Sequence, residues 1–346
     1  MPVSMPVVVD ERCLLHDPRS EIWIGVATPA AETAGRLTAI REALNGARFV
    51  DAAEHPDDAI HAVHEPALVE YLRTAWDEWD AAGLPVDPGQ PRVVPYVFAH
   101  SSLTSRPSVP TATWAKPGYF AYDTMTLVGP GTWDAARGAV DAALTAVDLV
   151  TRRETAAAYA CVRPPGHHVT RAAHGGSCYL NNTAVAAAAL VEATGCVAVL
   201  DIDAHHGNGT QEIFYDRDDV VVGSVHVDPA AGWFPHFVGS ADEAGTGANR
   251  NVPLAPGSAD DVWTAAVRDL VAWAAEHRPR ALVVALGVDA AEGDPESPLR
   301  VTENGFREAG RELARLNVPT VFVQEGGYDV TTIGALVRAV LEGFEA

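Results

Sequence analysis

The stretch Asp201-Ile-Asp-Ala-His-His-Gly-Asn-Gly209 decides the fold and places the chemistry of this chain. It follows the apolar run 197–200, and an apolar run that ends abruptly in acids is typical of a buried parallel strand with polar groups at its carboxyl end. Ligands of open α/β sheets bind at that edge. Asp201, Asp203 and His205 are spaced two residues apart, so an extended backbone would place all three side chains on one face.

A second apolar run, residues 281–288, is followed directly by the acid Asp289. Parallel strands end at the same edge of a sheet, so Asp289 is expected to meet Asp203 and His205 there. Two carboxylates and one imidazole leave a coordination position open for water, which is the pattern of a catalytic zinc site. The alternative is that these acids only cap helices and turn the chain. Acids at two strand ends, with His205 between them, favour the metal.

Two further segments are expected at the same edge. The motif Arg163-Pro-Pro-Gly-His-His168 follows the apolar stretch 156–162, so a pair of histidines leaves a predicted strand. Histidine is the side chain whose charge changes near neutral pH. The motif Gln324-Glu-Gly-Gly-Tyr328 follows the strand-like run 319–323 and brings a phenol to the edge. Taken singly, a histidine pair or a tyrosine is more often a packing feature.

Five motifs in a fixed order resemble the histone deacetylase superfamily of zinc amidohydrolases. They are R-P-P-G-H-H, G-G-S-C-Y-L-N-N, D-I-D-A-H-H-G-N-G-T, L-G-V-D and E-G-G-Y. Within that superfamily the chain is most similar to the bacterial acetylpolyamine amidohydrolases, and the similarity covers nearly the whole sequence. The resemblance implies a zinc-dependent deacetylase that acts on an amide C–N bond.

The resemblance assigns roles to the strand-end residues. It implies one Zn²⁺ per chain, bound by Asp203, His205 and Asp289. It places His167 and His168 beside a water molecule as candidate general base and acid, and both histidines remain candidates for either role. The remaining catalytic residues that it implies are Asp201 as the partner of His167, Asn208 as the partner of His168, and Tyr328 as the donor to the oxyanion.

A structural potassium ion and a single zinc also follow from the resemblance. The potassium ligands would be Asp201, Ser224 and Val225. The related fold of arginase binds two metals through D-x-H-x-D, and Gly207 stands at the position of the second aspartate. A binuclear site is therefore disfavoured.

Five positions bear on the substrate by the same resemblance. Gly176 and Ser177 belong to the G-G-S-C-Y motif, and Ser177 occupies the position where relatives usually carry an aromatic tunnel wall, so it should open one side of the channel. Phe234 would supply the other wall. Glu296 would lie at the rim, where a carboxylate can pair with a distal ammonium group, although it can equally be a solvated loop residue. Trp114 aligns with a substrate-binding glutamate of acetylpolyamine enzymes, which argues against a polyamine.

Three functions are weighed on these grounds. The first is deacetylation of a small N-acylated cationic amine such as an acetylpolyamine. The second is hydrolysis of another small acylated molecule or of acetyl-lysine. The third is a non-catalytic acyl-binding module, which the complete set of zinc ligands, histidines and tyrosine disfavours.

Composition excludes some partners. The formal net charge over 346 residues is −22, which argues against nucleic acid and would attract cationic ligands. No run of about 18 apolar residues predicts a membrane span, and the start of the chain lacks a basic signal region. Four cysteines without a C-x-x-C pair are expected to stay reduced. A cytoplasmic enzyme is therefore expected.

Strand-like and helix-like segments alternate from end to end. Such alternation predicts one α/β domain over residues 1–346, with a central, mostly parallel sheet and helices on both faces. The resemblance makes this the three-layer sandwich of arginases and deacetylases. Residues 84–119 form one long irregular insertion rich in proline and glycine. Loops of this length are usually functional, and by resemblance this one would border the active-site mouth and form a homodimer contact.

Overall fold

The computed structural model describes residues 3–85 and 92–346. Its centre is an eight-stranded sheet with the strand order β4-β1-β5-β10-β9-β6-β7-β8. The strands of this sheet are β1 (Val7–Val9), β4 (Phe49–Asp51), β5 (Ala157–Ala160), β6 (Val197–Asp201), β7 (Val220–Val227), β8 (Asn249–Leu254), β9 (Ala281–Leu286) and β10 (Thr320–Gln324). All neighbouring strands pair in parallel. The predicted parallel α/β sheet is confirmed.

The central strands are buried from end to end, which explains their unbroken runs of valine, leucine and alanine. Every residue of β5, β6, β7, β9 and β10 is buried. A strand covered by helices on both faces cannot alternate apolar and polar residues, because both of its faces lie in the core.

The helices surround the sheet in the predicted three-layer arrangement. They are α1 (Ala34–Ala43), α2 (Asp58–His61), α3 (Pro66–Ala81), α4 (Pro117–Phe120), α5 (Thr132–Thr151), α6 (Asn182–Thr194), α7 (Asn208–Phe214), α8 (Asp260–Glu276), α9 (Glu303–Ala314) and α10 (Ile333–Phe344). Helices α5 and α6 pack on each other, while α8, α9, α10 and α1 pack in succession. In the part of the chain that the structure describes, no helix has the length and apolarity needed to cross a membrane.

A small antiparallel hairpin was not predicted. It consists of β2 (Ser20–Trp23) and β3 (Val26–Pro29), which pair only with each other. Its tip is exposed, with Ile24 at a positive φ of 51°. Thr124 Oγ1 donates to the carbonyl oxygen of Ile22 at 2.9 Å and fastens the hairpin to the body of the protein.

The insertion at 84–119 is largely irregular, as predicted. Residues 86–91 lie outside the described part of the chain. The remainder contains a 3-10 turn at Thr113–Ala115 and the first residues of α4. Lys116 ties it to α3 through an ion pair with Glu78 at 2.5 Å.

Candidate active site

Four adjacent strands, β5, β10, β9 and β6, deliver the predicted site residues to one edge of the sheet. Strand β6 ends at Asp201. The prediction that Asp201, Asp203 and His205 lie on one extended strand is therefore wrong. The backbone turns instead. The Asp203 N–H donates to Asp201 Oδ1 at 3.0 Å, and the His205 N–H donates to Asp203 Oδ1 at 2.9 Å. Each aspartate side chain thus accepts the backbone N–H two residues further on, which is an Asx-turn.

The predicted metal ligands lie together. Ligand atoms of Asp203, His205 and Asp289 are all within 4.8 Å of one another. His205 Nδ1 is 3.0 Å from Asp289 Oδ2 and 3.4 Å from Asp203 Oδ1. Burial, and then the charge of Asp203, raises the pKa of Asp289. A cation between the two buried carboxylates would relieve this repulsion, and one imidazole with two carboxylates suits Zn²⁺.

Glycines form a cradle around these carboxylates. A Cβ at Gly287 would lie 2.0 Å from Asp203 Oδ2. A Cβ at Gly326 would lie 2.3 Å from Asp289 Oδ2 and 2.5 Å from Asp203 Oδ2. The Gly326 N–H donates to Asp203 Oδ2 at 2.7 Å. The sequence therefore leaves space for ligand oxygens where any side chain would displace them.

The two histidines differ in their electrostatic surroundings. His167 Nδ1 lies 2.8 Å from Asp201 Oδ2. Burial alone would lower the pKa of His167, but the carboxylates of Asp201, Asp203 and Glu325 outweigh it and raise the pKa to about 10. Burial, followed by the charges of His167 and His205, lowers the pKa of His168 well below 6.5.

A hydrogen bond to Asn208 sets the tautomer of His168. Its Nδ1 lies 2.7 Å from Asn208 Oδ1. An amide oxygen only accepts, so Nδ1 carries the hydrogen and Nε2 keeps its lone pair. Neutral His168 is therefore prepared to accept a proton at Nε2.

Tyr328 follows β10 on a loop held by buried polar groups. Arg36 donates from Nε to the Gly327 carbonyl at 2.6 Å and from Nη2 to the Glu325 carbonyl at 2.5 Å. Its guanidinium carbon lies 4.7 Å from the centre of the Tyr328 ring. Burial raises the pKa of Tyr328 well above 10, so its hydroxyl remains a donor.

A narrow cavity leads from the surface to these groups. Its lining residues are Glu21, Ala31, Glu32, Met125, His168, Gly176, Ser177, His205, Phe234, Glu296 and Tyr328. The Phe234 and His168 rings meet edge to face, with 4.8 Å between centroids. Four of the predicted substrate residues thus line the cavity. Trp114 does not: it lies on the 3-10 turn of the insertion with 51% of its surface exposed.

The predicted potassium ligands lie on β6 and β7: Asp201 ends β6, and Ser224 and Val225 lie within β7 beside it. Asp201 and Ser224 are register partners in β6 and β7, and Val225 follows Ser224 in the buried interior. Ser224 Oγ is 2.8 Å from His226 Nδ1. The two oxygen-bearing side chains leave the sheet side by side, next to the catalytic edge.

Comparison with known proteins identifies the family. A family model described as the histone deacetylase domain matches residues 30–344. The chain belongs to the histone deacetylase family. It is 38% identical over 339 residues to acetylpolyamine amidohydrolase 1 of Pseudomonas aeruginosa, with 96% of each chain covered. It is also 38% identical to the acetylpolyamine amidohydrolase of Mycoplana ramosa, covering 98% of this chain and 99% of that one.

Solved structures agree with this assignment. The crystal structure of acetylpolyamine aminohydrolase from Burkholderia pseudomallei superposes with a TM-score of 0.93 at 36% identity, and 99% of each chain is covered. The resemblance read from the five motifs is confirmed for the family and for the fold. This histone deacetylase family member is thus similar along its whole length to deacetylases whose names refer to acetylpolyamines.

Sequence reasoning missed several residues of the site, among them Glu21, Met125 and Glu325. Glu21, on the hairpin, faces the cavity, and its pKa is raised to about 7 by burial, then by the charges of Glu296 and Asp123. Met125 lines the same wall as Ser177. Glu325 accepts hydrogen bonds from the backbone N–H groups of Gly166 at 2.6 Å and His167 at 3.1 Å. Glu325 lies in the motif 324–328 noted above. No sequence pattern around Glu21 or Met125 indicated a functional role.

Proposed function

We propose that this protein is a zinc-dependent amidohydrolase that removes an acetyl group from a small N-acylated cationic amine, such as an acetylpolyamine. The observation that supports this most directly is the cavity itself. Its lining includes the buried His168 and His205, the hydroxyl-bearing Tyr328, and the half-buried carboxylates Glu21 and Glu296. The names of the relatives point to the same substrate class.

Zn²⁺ held by Asp203, His205 and Asp289 would polarise the amide carbonyl and lower the pKa of a water molecule to about 7. His168, neutral and with a free Nε2, accepts the proton of the attacking water and returns it to the departing amine. His167, charged beside Asp201, stabilises negative charge on the reacting oxygen. Tyr328 donates its hydroxyl to the oxyanion, an interaction worth roughly 3–4 kcal/mol where such donors have been removed.

The two rim carboxylates supply the preference for a cation. A carboxylate that is partly removed from water attracts an ammonium group more strongly than a fully exposed one does. Glu21 and Glu296 are each only partly exposed. Burial raises the pKa of Glu21 most, and repulsion from the charge of Glu296 raises it further. A bound ammonium group between them would replace that repulsion with two attractions.

A second candidate is hydrolysis of a bulkier acylated amine or of acetyl-lysine. Ser177 favours it, because this residue replaces a large wall with a small side chain at a positive φ of 61°. The exposed insertion beside the mouth disfavours a folded protein substrate. We further propose that Asp201, Ser224 and Val225 bind a structural potassium ion.

The decisive experiment combines metal analysis with a substrate panel. We expect one zinc per chain, lost together with activity in His205→Ala but retained in the exposed control His61→Ala. Zinc-loaded enzyme should hydrolyse acetylputrescine and acetylspermidine faster than an acetyl-lysine peptide or a neutral acylamide of equal length. Two transition metals per active chain would overturn the mononuclear site, and equal rates on cationic and neutral amides would overturn the substrate class.

A further inference from the structure

One buried carboxylate connects the mouth of the cavity to its floor. Asp294 is 8% exposed and lies in the turn that follows β9. Its Oδ2 accepts the backbone N–H of Tyr328 at 2.8 Å. Its Oδ1 accepts the backbone N–H of Glu296 at 3.0 Å. No other role has been assigned to this side chain.

The two segments that Asp294 joins need such a tie. Tyr328 follows Gly326 and Gly327, and Gly327 has a φ of +117° that other residues rarely adopt. Arg36 fixes the carbonyl side of this loop, at Gly327. Asp294 fixes the other side, at the N–H of Tyr328. Hydrogen bonds to a charged acceptor are stronger than neutral ones, and a buried one is costly to lose.

The same carboxylate also places Glu296. Glu296 lies two residues after Asp294, and its backbone N–H donates to the Asp294 side chain. This bond fixes the backbone from which the Glu296 side chain extends. The backbone of Glu296 therefore has a defined position with respect to the backbone of Tyr328, although the two residues belong to different loops. Loss of the bridge would free each loop separately.

We propose that Asp294 is a positioning residue that holds the rim carboxylate Glu296 at a set distance from Tyr328 and so determines the length of the cationic substrate that the site prefers. The inference rests on the function proposed above. An acylated diamine fits when its amide reaches Tyr328 while its ammonium reaches Glu296. Its methylene chain must match the separation that Asp294 maintains, because a flexible pair of loops would accept several lengths.

The test compares acetylated diamines that differ by one methylene, together with neutral acylamides of the same lengths. Wild type should show about tenfold or greater differences in kcat/KM across the cationic series, the size expected for a charged contact made or missed. Asp294→Asn keeps the shape but turns an NH₂ group either toward the N–H of Glu296 or toward the N–H groups of Tyr328 and Asp329, the latter 3.4 Å from Oδ2. It should lower kcat and flatten the length preference to about twofold, because one of the two ties is lost. Glu292→Gln, an exposed carboxyl in the same turn, is the matched control and should behave as wild type.

A double-mutant cycle separates positioning from general damage. In a Glu296→Gln background the preference for one length should already be absent, so Asp294→Asn should then lower kcat alone. Asp294→Ser, which keeps one acceptor, provides a second variant should the first fold poorly. A length preference equal to that of wild type in either folded variant overturns the proposal, as does an equal loss on all substrates. If wild type itself does not prefer cationic over neutral amides, the proposed function fails first and this inference with it.

Discussion

At the residue scale, the two adjacent histidines of the site, His167 and His168, have electrostatic surroundings that shift their pKa values in opposite directions. The ring centroids of His167 and His168 are 4.0 Å apart, yet the pKa of one is raised and that of the other is lowered. Burial lowers the pKa of both rings, but Asp201, Asp203 and Glu325 outweigh it at His167, whereas the charges of His167 and His205 lower the pKa of His168 further. The Nδ1 atom of His167 faces the carboxylate of Asp201, and the Nδ1 atom of His168 faces the amide of Asn208. Pairs of titratable groups whose pKa values are pushed apart are typical of acid–base sites.

Tyr328→Phe should keep zinc and substrate binding but lower kcat by roughly 100- to 1000-fold, since only the oxyanion donor is removed. Steady-state kinetics and zinc content measure the two effects. Tyr215→Phe, which alters a half-buried tyrosine outside the cavity lining, is the control. Near-normal turnover of Tyr328→Phe would mean that the tyrosine only supports the loop.

Glu296→Leu should reduce kcat/KM for acetylputrescine or acetylspermidine by about tenfold or more, because a partly desolvated ion pair exceeds the roughly 0–1 kcal/mol of an exposed one. The loss on a neutral acylamide of similar length should be smaller. Equal losses on both substrates would identify Glu296 as a surface residue and favour a different substrate, such as a bulkier amide that uses the space at Ser177.

Glu21 should make substrate affinity depend on pH. Its pKa is raised from 4.5 to about 7, chiefly by burial, so the carboxyl is largely neutral at pH 6 and ionised at pH 8. The ionised form attracts an ammonium group, and therefore kcat/KM for a cationic substrate should rise as pH increases through about 7. Glu21→Gln should remove this rise, and the ratio of rates on cationic and neutral substrates measures it. The same ratio at every pH in wild type would show that Glu21 does not contact the ammonium group.

At the element scale, the site exists because four parallel strands end at one edge in close register. Asp201 at the end of β6 is the register partner of Ala285 in β9, which brings the segment before Asp289 against the turn that carries Asp203. The Asp203 side chain approaches position 287 so closely that a Cβ there would lie 2.0 Å from its Oδ2.

Gly287→Ala should therefore weaken zinc binding without unfolding the protein. The added Cβ would lie 2.0 Å from Asp203 Oδ2 and must displace that ligand. Zinc retention during dialysis against a chelator, together with circular dichroism, measures the effect. Gly35→Ala in α1 meets only ordinary contacts at 3.6 Å and 3.7 Å and is the control. Equal zinc retention in both variants would contradict the proposed ligand geometry.

At the scale of the whole molecule, several large apolar side chains of the insertion, the hairpin and the segment after Phe234 are exposed. Tyr96 and Leu103 on the insertion are 70% and 71% exposed. Ile24 on the hairpin and Phe237 beyond the cavity wall are 76% and 94% exposed. Clusters of large exposed apolar residues mark contact surfaces. The insertion remains our candidate for a dimer contact.

We therefore expect a homodimer that Tyr96→Ser combined with Leu103→Ser converts to monomers with a raised KM. Analytical ultracentrifugation at micromolar concentration measures the assembly state, and Val262→Ser, which alters a residue 45% exposed on α8, is the control. A wild-type monomer, or unchanged kinetics after the insertion is altered, would contradict this role.

The sequence by itself determined the parallel sheet and indicated that Asp203, His205, Asp289, the histidine pair and Tyr328 come together at its edge. These follow from local patterns, because a buried strand must be apolar throughout and must carry its polar groups at its end. Only the tertiary structure decided where the strands stop and that Asp203 and His205 align through turns. It also decided that Glu21, Met125 and Asp294 converge on the mouth while Trp114 remains apart. Those positions depend on how separate loops pack against one another. The spacing of residues along the sequence does not indicate which distant segments will be in contact.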